Sequence, residues 1–321
     1  MTKLPVLLDV DTGIDDALAL MLALRSPRLD VRAITCVGGN HRVGQVVENT
    51  LKVLDVVDAP AIPVAAGMER ALVERPPAPL LLHGRDGMAD LGLPASPRLP
   101  VAVHAVELMR QTLSQATEPV HLIALAPLTN VAVFLRMYPA LWGRIAGLTI
   151  MGGTYAAPGN TSPMAEFNIR CDPEAAAMVL ESGLPIRLYP LDPFRQLRFT
   201  RPEFERFVHA PDPAARQAGR IFRFSADFFG VDHALLGDAG AVASLIDPAG
   251  ATVERLPITV ELAGVATRGQ TVVDRRLPAQ RAHPEEFWQT SLHEIDVVTA
   301  VDEARYRRLF AQAVGAPWLV V

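Results

Sequence analysis

Residues 4–21 read LPVLLDVDTGIDDALALM: an apolar run, an acidic turn and a second apolar run. This order predicts a buried strand, a tight turn that includes Gly13, and the beginning of a helix. The acidic turn concentrates negative charge at one place in the chain. Its aspartates are Asp9, Asp11, Asp15 and Asp16.

Carboxylates this close together repel one another unless a positive charge lies among them. Aspartate is favoured at helix N-termini, and one or two of these residues would be explained in that way. The full set is not, so the junction predicts a hard divalent cation held by oxygen ligands. The carboxyl end of a parallel strand is also where open α/β sheets bind their ligands.

The composition favours one compact enzyme-sized domain over residues 1–321, because the chain is half hydrophobic and can form a large core. Its net charge is −5, and Lys3 and Lys52 are its only lysines, so we expect no nucleic-acid partner. Charge or glycine interrupts the apolar segments, so we expect no membrane contact. Cys36 and Cys171 are too few for a disulfide scaffold, and we expect a cytoplasmic protein.

Strand-like and helix-like segments alternate over most of the chain. The predicted strands after the first are residues 31–37, 62–66, 120–126, 145–151, 185–191, 256–262, 270–274 and 295–301. The predicted helices after the first include residues 45–57, 100–115, 200–230 and 303–314. This alternation predicts an α/β fold with an open, mainly parallel sheet and helices on both faces.

Polar residues follow several predicted strands. They are Asn40, Thr129, Asn130 and Asp192, with Asn160, Glu166 and Asn168 in the loop after Gly153 and Asp238 far downstream. The carboxyl ends of parallel strands open on one edge, so we expect these side chains to meet there. Carboxylates and amides with few cations favour a neutral polyhydroxylated ligand and a metal over a phosphate.

The acidic turn DVDTGIDDA (residues 9–17) resembles the signature of the nucleoside hydrolase (inosine-uridine preferring) family. Six further segments resemble that family in the same order: VGGN (37–40), APLTN (126–130), IMGG (150–153), AEFN (165–168), DPEA (172–175) and GQTV (269–272). The resemblance implies the nucleoside hydrolase fold, hydrolysis of ribonucleosides to ribose and free base, and a homodimer or homotetramer.

The resemblance also implies roles for individual residues. One Ca²⁺ would be bound by Asp11, Asp16, the main-chain carbonyl of Thr129 and Asp238. Asp11 would be the general base toward a metal-bound water that attacks C1′ through an oxocarbenium-like transition state. The substrate-binding residues would be Asp15, Asn40, Met151, Asn160, Glu166, Asn168 and Asp238. Apart from the resemblance, Phe167 and Phe229 are candidates to lie on the base, although such aromatic residues more often belong to the core.

One departure from the family affects the leaving base. Many family members carry a histidine immediately before the metal-binding aspartate near the C-terminus, and this chain has Gly237 there. His83, in HGRDG (83–87), matches a loop position that contacts the base in pyrimidine-preferring members. We hypothesise that His83 or His233 supplies the proton that the missing histidine would have given.

Two alternatives stay open at this stage. The first is a phosphatase of the haloacid dehalogenase type, with Asp9 as nucleophile; that chemistry needs a downstream lysine, and none follows Lys52. The second is a family member that binds a ribosyl ligand with weak or altered turnover, as the loss of histidine at Gly237 would allow. The sequence leaves the preference for purine or pyrimidine bases open.

Overall fold

The structure is a computed structural model that describes residues 3–75, 81–276 and 293–317. The strands are β1 (Leu4–Val10), β2 (Leu29–Cys36), β3 (Val64–Ala66), β4 (Val120–Ala124), β5 (Ile145–Met151), β6 (Ile186–Tyr189), β7 (Arg198–Thr200), β8 (His233–Leu235), β9 (Ala251–Val260), β10 (Thr271–Val273) and β11 (His293–Val301). The helices are α1 (Ile14–Arg25), α2 (Val43–Val56), α3 (Ala105–Gln115), α4 (Thr129–Met137), α5 (Phe167–Cys171), α6 (Pro173–Leu180), α7 (Leu191–Phe194), α8 (Arg201–Val208), α9 (Pro213–Phe229), α10 (Ala239–Ile246) and α11 (Glu303–Ala313).

The main sheet has nine strands in the order β10-β9-β11-β6-β5-β4-β1-β2-β3. From β3 to β11 all neighbouring strands are parallel, whereas β9 and β10 add an antiparallel edge. The predicted α/β fold with an open, mainly parallel sheet is therefore confirmed. Because β1 lies in the middle, its carboxyl end opens at the centre of one sheet edge.

Helices cover both faces of this sheet, and alternate residues of β1 enter the two cores. Val6, Leu8 and Val10 pack with α1, α2, α9 and α10 on one face. Leu7 packs with α3, α4 and α6 on the other. A central strand buried on both sides explains why β1 is an apolar run rather than an alternating one.

Several predicted boundaries differ from the observed ones for local reasons. The strand predicted at 185–191 ends at Tyr189, because Pro190 has no N–H for the strand ladder and precedes α7. The helix predicted at 200–230 is two helices, since Asp212 caps a new helix that begins at Pro213. The strand predicted at 256–262 instead spans Ala251–Val260.

The small antiparallel sheet formed by β7 and β8 was not predicted from the sequence. Each of its strands has three residues, too few for a periodic pattern. Cys36 and Cys171 are buried thiols, in agreement with their prediction as unpaired residues. Among the helices of the described ranges, none is both long enough and apolar enough to cross a bilayer.

Candidate active site

The turn between β1 and α1 is stabilised by one aspartate. Asp16 accepts the backbone N–H of Gly13 at 3.0 Å with Oδ2 and that of Asp11 at 3.3 Å with Oδ1. The φ of Gly13 is −99°, which any residue can adopt. Glycine is required there because a β-carbon would lie 2.3 Å from His83 Nδ1. The turn therefore brings backbone, carboxylate and imidazole into close contact.

Three aspartates meet at the carboxyl end of β1. Asp15, Asp16 and Asp238 each offer a carboxylate oxygen within 4.8 Å of the others; we call these three the carboxylate cluster. Asp238 precedes α10, more than two hundred residues from α1, so the fold brings distant acidic residues together. The family resemblance implied that Asp15 binds the sugar and that Asp11 binds the metal. In the structure, the carboxylate cluster contains Asp15 and not Asp11.

Asp11 lies beside the carboxylate cluster and is completely buried. Its Oδ2 accepts the backbone N–H of Asn40 at 2.7 Å, whereas its Oδ1 has no hydrogen-bond partner in the described structure. Burial, followed by the charge of Asp16, raises the pKa of Asp11 well above its usual range. A buried, unpaired carboxylate oxygen beside other acids is the environment that a hard cation would stabilise.

The other acids at this place are perturbed in the same direction. Burial and the charge of Asp15 raise the pKa of Asp16 to about 7. Burial raises the pKa of Asp238, and the charges of Asp15 and Asp16 raise it further. Such repulsion among buried carboxylates disappears when a cation neutralises them, so the donor set fits a divalent metal.

The structure does not bring Thr129 into this group. Thr129 begins α4, its hydroxyl donates to Asp172 at 2.7 Å, and it is not among the described residues that line the cavity above the carboxylates. Leu125, four residues earlier, does line the cavity, and its carbonyl accepts Asn168 Nδ2 at 2.9 Å. Leu125 thus offers a main-chain oxygen at this edge, and the metal contact of Thr129 stays a prediction.

A cavity of about 670 Å³ opens above the carboxylate cluster. All the residues predicted to bind substrate line it: Asp15, Asn40, Met151, Asn160, Glu166, Phe167, Asn168 and Asp238. His83 and His233 line it as well, whereas Asp11 and Asp16 lie behind its surface. The sequence thus located the cavity correctly, and the roles of these residues remain predictions.

Glu166 links the cavity to the backbone beneath it. Its two carboxylate oxygens accept the backbone N–H groups of Asn168 at 2.8 Å, Gly153 at 2.9 Å and Ile169 at 3.1 Å. Burial nevertheless raises its pKa to about 7. Glu166 therefore fixes the start of α5 and also presents a carboxyl group to the cavity.

The asparagines are oriented by similar contacts. Asn40 Nδ2 donates to Asp16 Oδ2 at 3.2 Å, and Asn168 Nδ2 donates to the carbonyls of Leu125 and Met151. Asn160 Oδ1 accepts the N–H of Phe167 at 2.9 Å. These bonds leave the Asn168 carbonyl oxygen and the Asn160 amide nitrogen available to a hydroxylated ligand.

Asp192 holds the loop that carries Asn160. Its carboxylate accepts the backbone N–H groups of Tyr155, Ala156 and Ala157 at 2.7–2.8 Å. This strand-end aspartate was predicted among the polar residues of the sheet edge. Its role in the structure is to anchor the loop.

The opposite wall of the cavity is apolar and comes mainly from α9. Ile221, Phe222, Phe228 and Phe229 line this wall together with Ser225. Phe222 is buried and stacks on Phe199, whereas Phe228 and Phe229 are about half exposed at the mouth. An aromatic and aliphatic wall suits a planar heterocycle, while the acidic end suits a sugar.

His83 is a buried, neutral hydrogen-bond donor. Its Nδ1 accepts the backbone N–H of Ile14 at 3.1 Å, which places the ring proton on Nε2. Burial lowers the pKa of His83, although Asp15, whose Oδ1 lies 3.8 Å away, acts in the opposite sense. His83 can therefore donate a hydrogen bond to a ligand but is poorly suited to transfer a proton.

His233 stands in a different environment. It lies on β8 at the cavity mouth, is half-buried, and its Nδ1 lies 3.2 Å from Asp232 Oδ1. His233 therefore reaches solvent, whereas His83 is buried. The role of each histidine toward the leaving base stays a prediction.

Two features of the cavity were not found from the sequence. Arg195, at the end of α7, is the only arginine or lysine among the described residues that line the cavity. Ser225 lies within the Phe-rich segment of α9, where nothing in the sequence distinguished it.

The contacts of Asp9 favour a structural role over that of a phosphatase nucleophile. It is buried, and its Oδ1 accepts Thr35 Oγ1 at 2.6 Å and Asn130 Nδ2 at 2.8 Å. Asp9 thus ties β1 to β2 and α4.

Comparison with known proteins gives consistent results. The family model described as inosine-uridine preferring nucleoside hydrolase matches residues 6–308. A pyrimidine-specific ribonucleoside hydrolase, RihA, from Salmonella paratyphi B is 37% identical over 276 residues, which cover 84% of this chain and 88% of that protein. The RihA of an Enterobacter strain is 39% identical with the same coverage.

Solved structures also resemble the chain over nearly its whole length. An inosine-guanosine nucleoside hydrolase has a TM-score of 0.89 at 33% identity and covers 97% of this chain and 99% of its own. A purine-preferring ribonucleoside hydrolase from Gardnerella vaginalis has a TM-score of 0.85 at 27% identity, with coverage of 99% and 100%.

Proposed function

Because the chain belongs to the inosine-uridine preferring nucleoside hydrolase family and is thus a ribonucleoside hydrolase, we propose that it acts as a Ca²⁺-dependent enzyme with Asp11 as general base. The products are ribose and the free base. One observation carries this proposal: the unpaired, buried Asp11 Oδ1 stands beside the carboxylate cluster at the end of β1.

Calcium suits this site because carboxylate and carbonyl oxygens are hard ligands. The acidic side chains here also outnumber the cationic side chains that line the cavity. Asp11, Asp16 and Asp238 would hold the ion, with the carbonyl of Leu125 as the main-chain ligand in place of Thr129. When bound, the ion lowers the pKa of a coordinated water and orients sugar hydroxyls.

The proposed ribose contacts use the hydrogen-bonding groups of the cavity that remain available to a ligand. Asp15 and Glu166 offer carboxylate oxygens, Asn168 offers its amide oxygen, and Asn40 and Asn160 offer amide groups. Together they hold the sugar with C1′ toward Asp11. The same carboxylates stabilise the positive charge that develops on the ribose ring.

The bond changes are those of hydrolysis. Asp11 takes a proton from the attacking water, and the water oxygen bonds to C1′ as the bond from C1′ to the base nitrogen breaks. The electron pair of that bond goes to the base, which then gains a proton. His83 donates a hydrogen bond to the base from Nε2, and His233 supplies the proton.

The finer properties of the enzyme are also proposals. The relatives named above include pyrimidine-specific and purine-preferring enzymes, so substrate tests must include both classes. The His83 position supports activity on pyrimidine nucleosides. We further expect a homodimer or homotetramer, a cytoplasmic location, and a role in nucleoside catabolism and salvage.

A reducing-sugar assay over purine and pyrimidine nucleosides tests the proposal. We expect ribose release that stops with a chelator and returns when Ca²⁺ is added. Asp11→Ala is the matched inactive control. Tight nucleoside binding without ribose release would support the binding-only alternative, and full activity in chelator would overturn the metal assignment.

A further inference from the structure

Arg195 occupies a distinctive position in the cavity wall. It ends the short helix α7, and one guanidinium nitrogen donates to the carbonyl of Gly159 at 3.1 Å. Its guanidinium has no other hydrogen bond and no ion pair with any residue in the described ranges. The remaining N–H groups are therefore available to whatever occupies the cavity.

The charges around Arg195 make this availability informative. Asp15, Glu166 and Asp238 also line the cavity, yet none of them pairs with the arginine. Because Arg195 pairs with none of these acids, the protein lacks the electrostatic stabilisation that a salt bridge there would supply. Such a cation is suited to an acceptor or a negative charge on the ligand.

The stereochemistry of a β-nucleoside indicates which part of the ligand Arg195 faces. The 2′- and 3′-hydroxyls lie on the face of the ribose opposite the base and C5′. With the hydroxyls toward the carboxylate cluster, the base and C5′ face the upper walls of the cavity. Phe194 lies close to Gly237, since its Cζ would be 3.4 Å from a β-carbon added there, and Arg195, the next residue, lines the cavity.

We propose that Arg195 is a catalytic residue that stabilises the leaving base. Its guanidinium donates hydrogen bonds to an acceptor of the base and stabilises the negative charge that arrives as the bond to C1′ breaks. It does not act as an acid, because a guanidinium stays protonated. The proton that neutralises the base comes from His233 or solvent. This inference rests on the proposed hydrolase function.

The test compares leaving groups in the full-length enzyme loaded with Ca²⁺. Uridine and inosine have poor leaving groups, whereas 4-nitrophenyl β-D-ribofuranoside releases a stable phenolate without help. For Arg195→Met we expect kcat on the nucleosides to fall about 10²-fold and kcat on the nitrophenyl riboside to change less than about threefold. Arg195→Lys should fall between Arg195→Met and the wild type on nucleosides.

A series of substituted aryl ribosides gives a second readout that a structural role would not change. The dependence of log kcat on the leaving-group pKa should be steeper in Arg195→Met than in the wild type. Arg198→Met is the matched control, since Arg198 also donates to a backbone carbonyl, that of Arg195 at 2.9 Å, but is exposed and does not line the cavity. It should behave as wild type.

Two outcomes would overturn the role of Arg195 while leaving the hydrolase function intact. An equal loss on nucleosides and on the nitrophenyl riboside would mean that Arg195 binds the ribose or only holds the Gly159 loop. Unchanged nucleoside turnover would mean that it does neither. If the wild-type enzyme releases ribose from neither substrate class, the proposed function fails, and this inference fails with it.

Discussion

A β-carbon on Gly237 would lie 2.7 Å from the Cβ of Asp15. The same atom would be 3.4 Å from Cζ of Phe194, and Gly237 has a φ of +67°, which side chains rarely adopt. There is therefore no empty space at Gly237, the position where many family members carry a histidine. The backbone passes so close to the carboxylate cluster that no side chain fits.

It follows that restoring the histidine will not improve the enzyme. Gly237→His should lower kcat, because its Cβ pushes Asp15 away from the ribose, and should lower Ca²⁺ affinity, because the strained backbone displaces the adjacent Asp238 from Asp16. Gly237→Ala should lower both in the same direction and to a smaller extent. Steady-state kinetics and calcium titration measure these effects.

Gly183→Ala is the control for backbone strain, since Gly183 has a φ of +76° and no atom near its added β-carbon. It should lose about 1–2 kcal/mol of stability from the left-handed conformation and keep its activity. Wild-type kcat in Gly237→His would show that the position has more room than the structure gives it.

Asp11→Ala should separate activity from stability. The buried carboxylate has an unpaired oxygen and a pKa raised by burial and by Asp16, so its removal relieves repulsion when no cation is present. We expect kcat to fall more than about 10²-fold while the melting temperature in chelator stays equal or rises. Near-normal turnover would remove Asp11 from the role of general base.

The acidic turn was the part of the site that sequence could predict. Its strand-turn-helix pattern is local, and each aspartate there follows from spacing along one segment. Asp238 was expected at the same sheet edge, but only the family resemblance implied that it shares one metal with Asp16. No short-range pattern can show that α10 begins where β1 ends.

The features that were missed depend on tertiary geometry. Which residue lines the cavity between β4 and α4 is decided by how the chain turns there, and only the fold shows that Leu125 does so. Whether Arg195 is free or paired depends on every neighbour of α7. The neutral state of His83 depends on one N–H, from Ile14, sixty-nine residues away in the chain.

The stability of the metal-free enzyme should fall as the pH rises. In the folded chain the pKa of Asp9 and of Asp16 is raised to about 7 from 3.8, so the native state holds protons that the unfolded chain releases. Stabilisation is complete below about pH 4 and is lost as the pH rises through about 7. Melting temperatures in chelator between pH 5 and pH 8 should decrease.

Added Ca²⁺ should reverse this trend, because the ion binds the deprotonated carboxylates and so stabilises the protein more at pH 8 than at pH 5. The same melting measurement with Mg²⁺ in place of Ca²⁺ shows whether a smaller cation stabilises the protein to the same extent. A melting temperature in chelator that rises over this pH range would contradict the assignment of neutral, buried acids.

The two histidines of the cavity should differ in how they affect turnover. His83 keeps Nδ1 as an acceptor for the N–H of Ile14, and burial lowers its pKa, so the neutral ring that donates from Nε2 is favoured. His83→Ala should lower kcat/KM and leave the shape of the pH profile unchanged. His233→Ala should instead lower kcat on uridine and inosine more than kcat on 4-nitrophenyl β-D-ribofuranoside, because the proposed proton donor to the base is gone. Turnover of uridine and inosine that survives both substitutions would exclude histidine from leaving-base protonation and leave solvent as the proton source.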